Sequence, residues 1–265
     1  MLTTATIASF GLYLSRTGAL LMAAPIFSTG SSFSGYRIAL AFSLALLMYG
    51  ATGVPLPVEI TPGLFFAMAL REVALGLAMA FVLTLMQLIA RMAGDLIGQE
   101  MGLAMANQTD PVTGVQTPLV SRIYEIVFIL GFLAINGHHV LLRALGDSFG
   151  RAPVGELALQ GDMIELIAAF FVRALEAGIT FGAPIMVIML MLSMLIGVLA
   201  RVVPQINVLE MSFTLRVGLA MVAMFLFAPI IGPALMNLYD LQALWLDQLI
   251  GTVETRPVYA GVQGG

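Results

Sequence analysis

The chain has 265 residues, of which 60 % are hydrophobic and 10 % are charged, and its mean hydropathy is +1.02. Soluble domains carry about 25 % charged residues, so this composition predicts a membrane protein or one assembled within a membrane. The net charge of −4 comes from 15 acidic side chains and 11 basic ones, and every basic side chain is arginine. The lack of lysine excludes Walker-type ATP binding and Schiff-base chemistry, and the lack of cysteine excludes disulfides and thiolate metal sites.

Apolar segments follow one another along the first half of the chain. Helices are predicted at 2–27, 38–50 and 64–90, and the third runs on into a glycine-rich stretch. A fourth segment is predicted at 123–145. A bilayer core needs about 20 apolar helical residues, so these segments predict membrane spans.

The second half continues the pattern with longer runs. Residues 163–203 are too many for one span, and Gly182-Ala183-Pro184 is predicted to divide them. The last long segment is predicted at 213–235, followed by a tail with an amphipathic turn around Trp245. The sequence therefore predicts an all-α, multi-pass helical membrane protein without a separable soluble domain; its construction from helical hairpins is implied by the family resemblance given below.

Small residues recur four positions apart in the centre of the chain, at Ala90, Gly94, Gly98, Gly102 and Ala106. Positions four apart lie on one face of a helix. Each glycine in a helix interior costs about 1 kcal/mol, which suggests that a neighbour needs close access to the backbone. Gly94, Gly98 and Gly102 are therefore predicted to form a close-packing helix face.

A polar segment rich in turn-forming residues follows this helix. Thr117 is predicted as the N-cap of the next helix and Pro118 as its first residue. Irregular backbone at membrane depth persists only within protein or beside water. Met101 and Met105 lie beside the segment and are candidates for an apolar collar, with core packing as the alternative. The candidate loop comprises Ala106, Asn107, Gln108, Thr109, Asp110, Pro111, Val112, Thr113, Gly114, Val115, Gln116, Thr117 and Pro118.

Charged side chains inside the apolar segments are predicted to lie within a helical bundle. They include Arg16, Arg71, Glu72, Arg173 and Glu176. A charge at the centre of a bilayer costs at least about 2.5–3.5 kcal/mol, so these helices are expected to face other protein chains or a water-lined passage. Arg173 and Glu176 are three residues apart and are predicted to pair with each other.

Two other classes of function compete. A small secondary transporter would use Arg71, Glu72 and Glu176 as an intramembrane site, and it would be expected to show an internal repeat, which the sequence lacks. An intramembrane hydrolase would need a nucleophile with a base, and no Gly-x-Ser-x-Gly, His-Glu-x-x-His or cysteine occurs. His138 and His139 are the only histidines. We therefore predict no enzyme activity, no catalytic residue, no metal and no cofactor.

The central stretch carries Ala93 to Gly98, Met101-Gly102, Ala106, Asp110-Pro111, Pro118 and Arg122. This pattern resembles the FliR family, the flagellar members of an export-gate family that also serves injectisomes. Two later pieces agree: Asn136-Gly137-His138, and Arg201 with Pro204-Gln205 and Phe213. The chain departs from the family pattern at Gln99-Glu100 and at Ser212-Phe213-Thr214.

The resemblance implies a core component of the flagellar type III protein export gate, in which a plug loop at about 106–119 closes a channel for unfolded subunits. It implies a FliP-like helical part at 1–180, a FliQ-like hairpin at 181–250 and a flexible tail at 251–265. The implied partners are FliP-like and FliQ-like membrane subunits in a hetero-oligomer, FlhB-like and FlhA-like components, and unfolded export substrates. The implied location is the bacterial inner membrane, and no nucleic-acid partner is expected.

Overall fold

The structure of the chain is a computed structural model that describes residues 4–27, 35–53, 61–102, 119–155, 157–158, 162–202 and 208–255. A 3-10 turn, Pro25–Phe27, follows the first helix, and two-residue strands β1 (Leu157–Ala158) and β2 (Glu254–Thr255) pair antiparallel. The predicted all-α class is confirmed. The α-helices in these ranges are α1 (Thr4–Ala23), α2 (Gly35–Thr52), α3 (Pro62–Glu100), α4 (Leu119–Ala134), α5 (Gly137–Arg151), α6 (Asp162–Val202) and α7 (Val208–Gly251).

Four of the described helices, α2, α3, α6 and α7, are long and apolar enough to cross a membrane. The number rises to five if α4 and α5 are counted together as one interrupted span. In a bilayer every backbone polar group needs an internal partner, which a helix provides. The predicted multi-pass helical architecture is therefore confirmed.

The long helices run further than the sequence predicts. α6 has 41 residues and continues through Pro184, where a division is predicted. α7 has 44 residues and continues past residue 235, where the segment is predicted to end, to Gly251. Both predicted ends are wrong. A proline removes only one N–H donor from the helix, whereas ending an apolar helix would leave several backbone groups without partners.

The predicted fourth segment is two helices. α4 ends at Ala134 and α5 begins at Gly137, with Asn136 between them at φ 60. Asparagine is one of the few residues other than glycine that adopts this left-handed conformation readily. The Asn-Gly pair therefore interrupts a stretch that hydropathy alone predicts to be continuous.

The chain divides into two compact units. Unit 1 contains the described residues of 1–85, 136–171 and 240–265, and unit 2 contains those of 86–135 and 172–239. α3, α6 and α7 each contribute to both units. The division at residue 180 that the resemblance implies concerns likeness to other subunits, so it stays a prediction.

Aromatic stacking organises unit 1. The ring of Tyr13 on α1 stacks on Phe149 of α5 with centroids 4.4 Å apart and contacts Tyr49 of α2 edge-on at 5.5 Å. Phe170 on α6 stacks on Trp245 of α7 at 4.7 Å. The predicted amphipathic turn around Trp245 is instead part of α7, and this side chain is fully buried.

Unit 2 has its own apolar core. Ile97 and Met101 of α3 pack with Tyr124 of α4, with Ile185 of α6 and with Ala223 of α7. The hydroxyl of another α7 residue, Tyr239, donates a hydrogen bond of 2.8 Å to the backbone carbonyl of Phe128. These contacts hold the end of α3 and the start of α4 against the α6–α7 hairpin.

Candidate functional site at the base of the central loop

The predicted gate loop lies between the end of α3 and the start of α4. Its residues, 106–118, fall outside the described residues, and so does Met105 of the candidate collar. The range includes Thr117, the predicted N-cap, and Pro118, the predicted first residue of the next helix. The structure describes both flanks, up to Gly102 and from Leu119 onward. We call these two flanks the base of the predicted loop.

Helices α3 and α4 approach closely at Gly94. A Cβ atom on Gly94 would lie 2.5 Å from Cα and 2.9 Å from the backbone nitrogen of Ser121. No side chain fits there without moving the α4 backbone. Gly98, one turn further along the predicted stripe, is buried. The stripe therefore faces protein, and α4 is one of its neighbours.

A group of polar side chains fastens the same two helices beside this contact. The hydroxyl of Ser121 donates a short hydrogen bond to Asp95. The carboxylate of Glu125, only 6 % exposed, lies 3.7 Å from the guanidinium of Arg91 and 3.1 Å from that of Arg122. Both arginines are about half exposed. We call these five residues, which balance two positive against two negative charges, the junction cluster.

The end of α3 is shaped by Gly102. The helix ends at Glu100, and Gly102 adopts φ 79 while its N–H donates to the carbonyl of Gln99 at 2.9 Å. This is the left-handed conformation that ends many helices, and glycine adopts it without strain. Gly102 therefore terminates α3, which corrects its predicted position on the packing face. Arg216 of α7 donates to the carbonyl of Glu100 at 3.0 Å and satisfies one terminal acceptor.

Met101 lies in the core of unit 2 and is 3 % exposed. A collar role would require its side chain to reach a channel surface, whereas here it packs against Tyr124 and Ile185. The collar therefore stays a prediction that rests on Met105.

A second polar group lies in unit 1. The guanidinium of Arg16 forms an ion pair of 2.6 Å with the carboxylate of Glu72, and the two side chains are 0 % and 1 % exposed. Arg16 also donates to the hydroxyl of Ser148 at 3.1 Å and to the carbonyl of Ala152 at 2.9 Å. Its guanidinium lies 4.3 Å from the ring centroid of Phe149. Glu72 is thus fully engaged and shielded, which counts against the transporter interpretation that needs it accessible.

The remaining predicted charges have different surroundings. Arg71 is partly exposed. Arg173 and Glu176 are exposed on unit 2, where they line a groove between α6 and α7. Within the described ranges they form no ion pair with each other, so that predicted pairing is wrong.

Sequence reasoning identified the charged residues more often than the residues that pair with them. It identified Glu72 without Arg16 as its partner, and it did not single out Ser121 or Glu125. The available signal for Glu125 was a carboxylate in an apolar run three residues after Arg122, a spacing that brings the two side chains together on a helix.

Metal binding has no support in the described part of the chain. No group of three or more His, Asp or Glu side chains there is arranged to hold an ion. The rings of His138 and His139 are 4.3 Å apart, but no third ligand accompanies them in those residues.

Comparison with known proteins gives one family over most of the chain. Residues 7–241 match the family described as Bacterial export proteins, family 1. The span includes the glycine stripe, the junction cluster and both flanks of the central loop.

Individual relatives agree. The chain is 26 % identical to the flagellar biosynthetic protein FliR of Bacillus subtilis, over 92 % of this chain and 95 % of that protein. It is 29 % identical to FliR of Escherichia coli, over 86 % and 87 % of the two chains. It is 24 % identical to the surface presentation of antigens protein SpaR of Shigella flexneri, over 80 % and 81 %. Since the family match covers far more than half of its length, the chain belongs to the bacterial export proteins, family 1.

Proposed function

We propose that the chain is a core component of a flagellar type III protein export gate, which lines and plugs the channel through which unfolded flagellar subunits leave the cell. Family membership supports an export role, and the names of the B. subtilis and E. coli relatives support the flagellar system over the injectisome. The chain's composition agrees, because export takes place at a membrane.

The proposed gate is a hetero-oligomer with FliP-like and FliQ-like subunits in the bacterial inner membrane. Support comes from the surface of the α6–α7 hairpin, where only 17 % of the most apolar stretch of each helix is buried. Met194 is 74 % and Phe225 is 79 % exposed. Exposed apolar area on this scale marks a contact surface with lipid or protein. In the proposed assembly, residues 1–180 are the FliP-like part and 181–250 the FliQ-like hairpin.

The plug assignment rests on the base of the central loop. Gly94 lies against the backbone of Ser121, and the junction cluster fastens the helices that carry the two ends of the loop. A loop with a fixed base can move aside for cargo while its anchor keeps its packing. Its polar residues, such as Asn107 and Thr109, suit a wet lumen. FlhB-like and FlhA-like components would deliver the unfolded substrates.

Deleting Thr109–Gly114 tests the plug. The assembled complex should still form, because the base does not depend on these residues, but it should conduct small ions at rest. The measurement is the conductance of the purified complex in planar bilayers, with co-purification of the partner subunits as the check on assembly. A variant that replaces the same residues by glycine and serine without shortening the loop is the matched control, and it should leak less.

Unchanged resting conductance in an intact deletion complex would contradict the plug. A stable lone protomer that transports a small solute would contradict the gate as a whole and favour the transporter alternative.

A further inference from the structure

The α6–α7 hairpin has its helical hydrogen bonding interrupted in both of its helices. A proline has no N–H, so the carbonyl four residues before it loses its usual helical donor. Pro184 has this effect on the carbonyl of Thr180 in α6, and Pro229 has it on that of Phe225 in α7. Pro233 repeats the interruption one turn further along α7. Each helix is therefore weakened at these turns.

The interrupted turns of the two helices lie side by side. Together they line a groove of about 440 Å³, to which α6 contributes Thr180 and Pro184 and α7 contributes Phe227 and Ile230. The hydroxyl of Thr180 donates a hydrogen bond of 2.8 Å to the carbonyl of Glu176, an arrangement that often bends a helix. The groove also leaves room for side chains to shift. Bending the hairpin at this level therefore costs less than bending it elsewhere.

On one side of this level the hairpin is attached to α3 and α4. We call this part, residues 172–183 and 230–239, the stem. A Cβ atom on Gly178 would lie 2.9 Å from Sδ of Met92, so α6 packs directly on α3 there. The hydroxyl of Tyr239 donates a hydrogen bond of 2.8 Å to the backbone of α4. These contacts hold the stem in place within unit 2.

On the other side lies the part of the hairpin that we call the tip, residues 185–202 and 208–228. Its outer surface is exposed, as at Met194 and Phe225. Few contacts within unit 2 oppose a displacement of that outer part. The hairpin thus joins a fixed stem to a more loosely held tip through turns that lack helical hydrogen bonds.

Arg216 connects the tip to the last turn of α3. Its half-buried guanidinium donates a hydrogen bond of 3.0 Å to the carbonyl of Glu100, in the turn that Gly102 terminates. Met189 of the tip packs with Met101 in the core of unit 2. A displacement of the tip therefore reaches the end of α3 through one polar and one apolar contact.

We propose that the hairpin is a hinge, in which the tip bends against the stem at the interrupted turns and Arg216 transmits the bending to the end of α3. Hinges concentrate a conformational change in a few positions. Bending at Pro184 and Pro229 breaks no helical bond to those residues, because neither has an N–H to donate. The movement shifts the end of α3 while the stem keeps its packing, and it requires neither the plug nor the export role.

Hydrogen–deuterium exchange of the full chain in its purified complex tests the hinge. Replacing Pro184, Pro229 and Pro233, which are all exposed, by alanine restores the N–H donors and adds no bulk. Exchange of the amides in the interrupted turns should slow by about fivefold or more, as expected for a regained hydrogen bond. Pro62→Ala is the control, because a proline at the first position of α3 removes no helical bond. It should leave exchange in the hairpin unchanged.

The same measurement at the end of α3 tests the transmission. The amides of Met101 and Gly102 donate to carbonyls within α3, at 3.0 and 2.9 Å. In the triple alanine variant their exchange should slow by about twofold or more, as expected for coupling between separate elements. Adding Arg216→Gln should remove this slowing while the hairpin itself stays protected. Arg143→Gln, at an exposed position of unit 1, should not remove it.

Three outcomes would overturn the proposal. Exchange in the hairpin could be unchanged by the alanines, which would mean that the prolines do not set its opening. The hairpin could slow while Met101 and Gly102 do not, or they could slow equally with and without Arg216. Co-purification of the partner subunits is the check on assembly. Should the triple variant fail that check, Pro229→Ala alone must show both effects at smaller size.

Discussion

The guanidinium of Arg16 and the carboxylate of Glu72, 56 positions apart in the chain, form an ion pair of 2.6 Å from which solvent is excluded. The pair joins α1 to α3, and through Ser148 and Ala152 it reaches the end of α5. Removing one partner of such a pair leaves a buried charge without compensation, which costs more than the pair itself contributes.

We therefore predict that Arg16→Met and Glu72→Leu each destabilise the protein by about 3–5 kcal/mol. The double variant should be more stable than either single one, because it buries no charge. Its stability should remain about 1–3 kcal/mol below that of wild type, since the Ala152 carbonyl then lacks its hydrogen-bond donor. The thermal unfolding midpoints of the complexes purified with wild type, each single variant and the double variant measure these differences in stability. A double variant less stable than both single ones would count against an ion pair as the reason.

Gly94 and Gly146 provide a matched pair of glycine substitutions. Gly94→Ala should destabilise the α3–α4 contact, because the new Cβ would lie 2.5 Å from Cα of Ser121. Overpacking of this kind costs about 1–3 kcal/mol or more. A Cβ on Gly146 of α5 meets nothing within 4 Å, so Gly146→Ala should stabilise its helix by about 1 kcal/mol. Protease resistance of the two variants measures the difference; equal resistance would refute the close contact.

Gly102 should tolerate asparagine better than alanine. At φ 79 an alanine would be strained by about 1–2 kcal/mol, while asparagine adopts this conformation more readily. The space around Gly102 is otherwise open, with Phe213 at 3.8 Å, so backbone strain dominates over steric overlap. Comparing the unfolding midpoints of Gly102→Ala and Gly102→Asn tests this. Alanine as stable as asparagine would show that α3 can end without the left-handed residue.

Glu125→Gln tests the junction cluster as the anchor of the loop. The change leaves Arg91 and Arg122 without the carboxylate that lies between them. Both arginines are about half exposed, so solvent screens part of the loss and the change should cost only about 1 kcal/mol, but it should loosen the base and raise the resting conductance of the complex. Glu165→Gln, at an exposed position of α6, is the control and should conduct like wild type. A Glu125→Gln complex that conducts no more than wild type would contradict the anchoring role of the junction cluster. The plug itself would still be tested by the deletion.

Local sequence patterns predicted the existence of the helices more reliably than the residues at which they begin and end. The apolar runs predicted where helices occur, because burial in lipid or protein needs continuous apolar side chains. They failed at Asn136, where one residue's backbone preference divides a run, and at Pro184, where a helix continues in spite of a proline. Hydropathy does not measure either effect.

The glycine spacing predicted that a helix face near Gly94 lies against a neighbour, and α4 proved to be that neighbour. The spacing also extended the face to Gly102, which instead ends the helix. A period of four is compatible with both roles, and only the backbone angle distinguishes them.

By itself, the sequence determined that this is a helical membrane protein without thiol or lysine chemistry, because composition gives the side chains that are present and hydropathy indicates the surroundings that each segment needs. Only the tertiary structure decided which charges meet. Arg16 pairs with Glu72 across 56 positions of the chain, which no local pattern covers, whereas Arg173 and Glu176, three residues apart on one helix, form no ion pair in the described residues. Pairing depends on which helix faces approach one another, and that is set by packing over the whole unit.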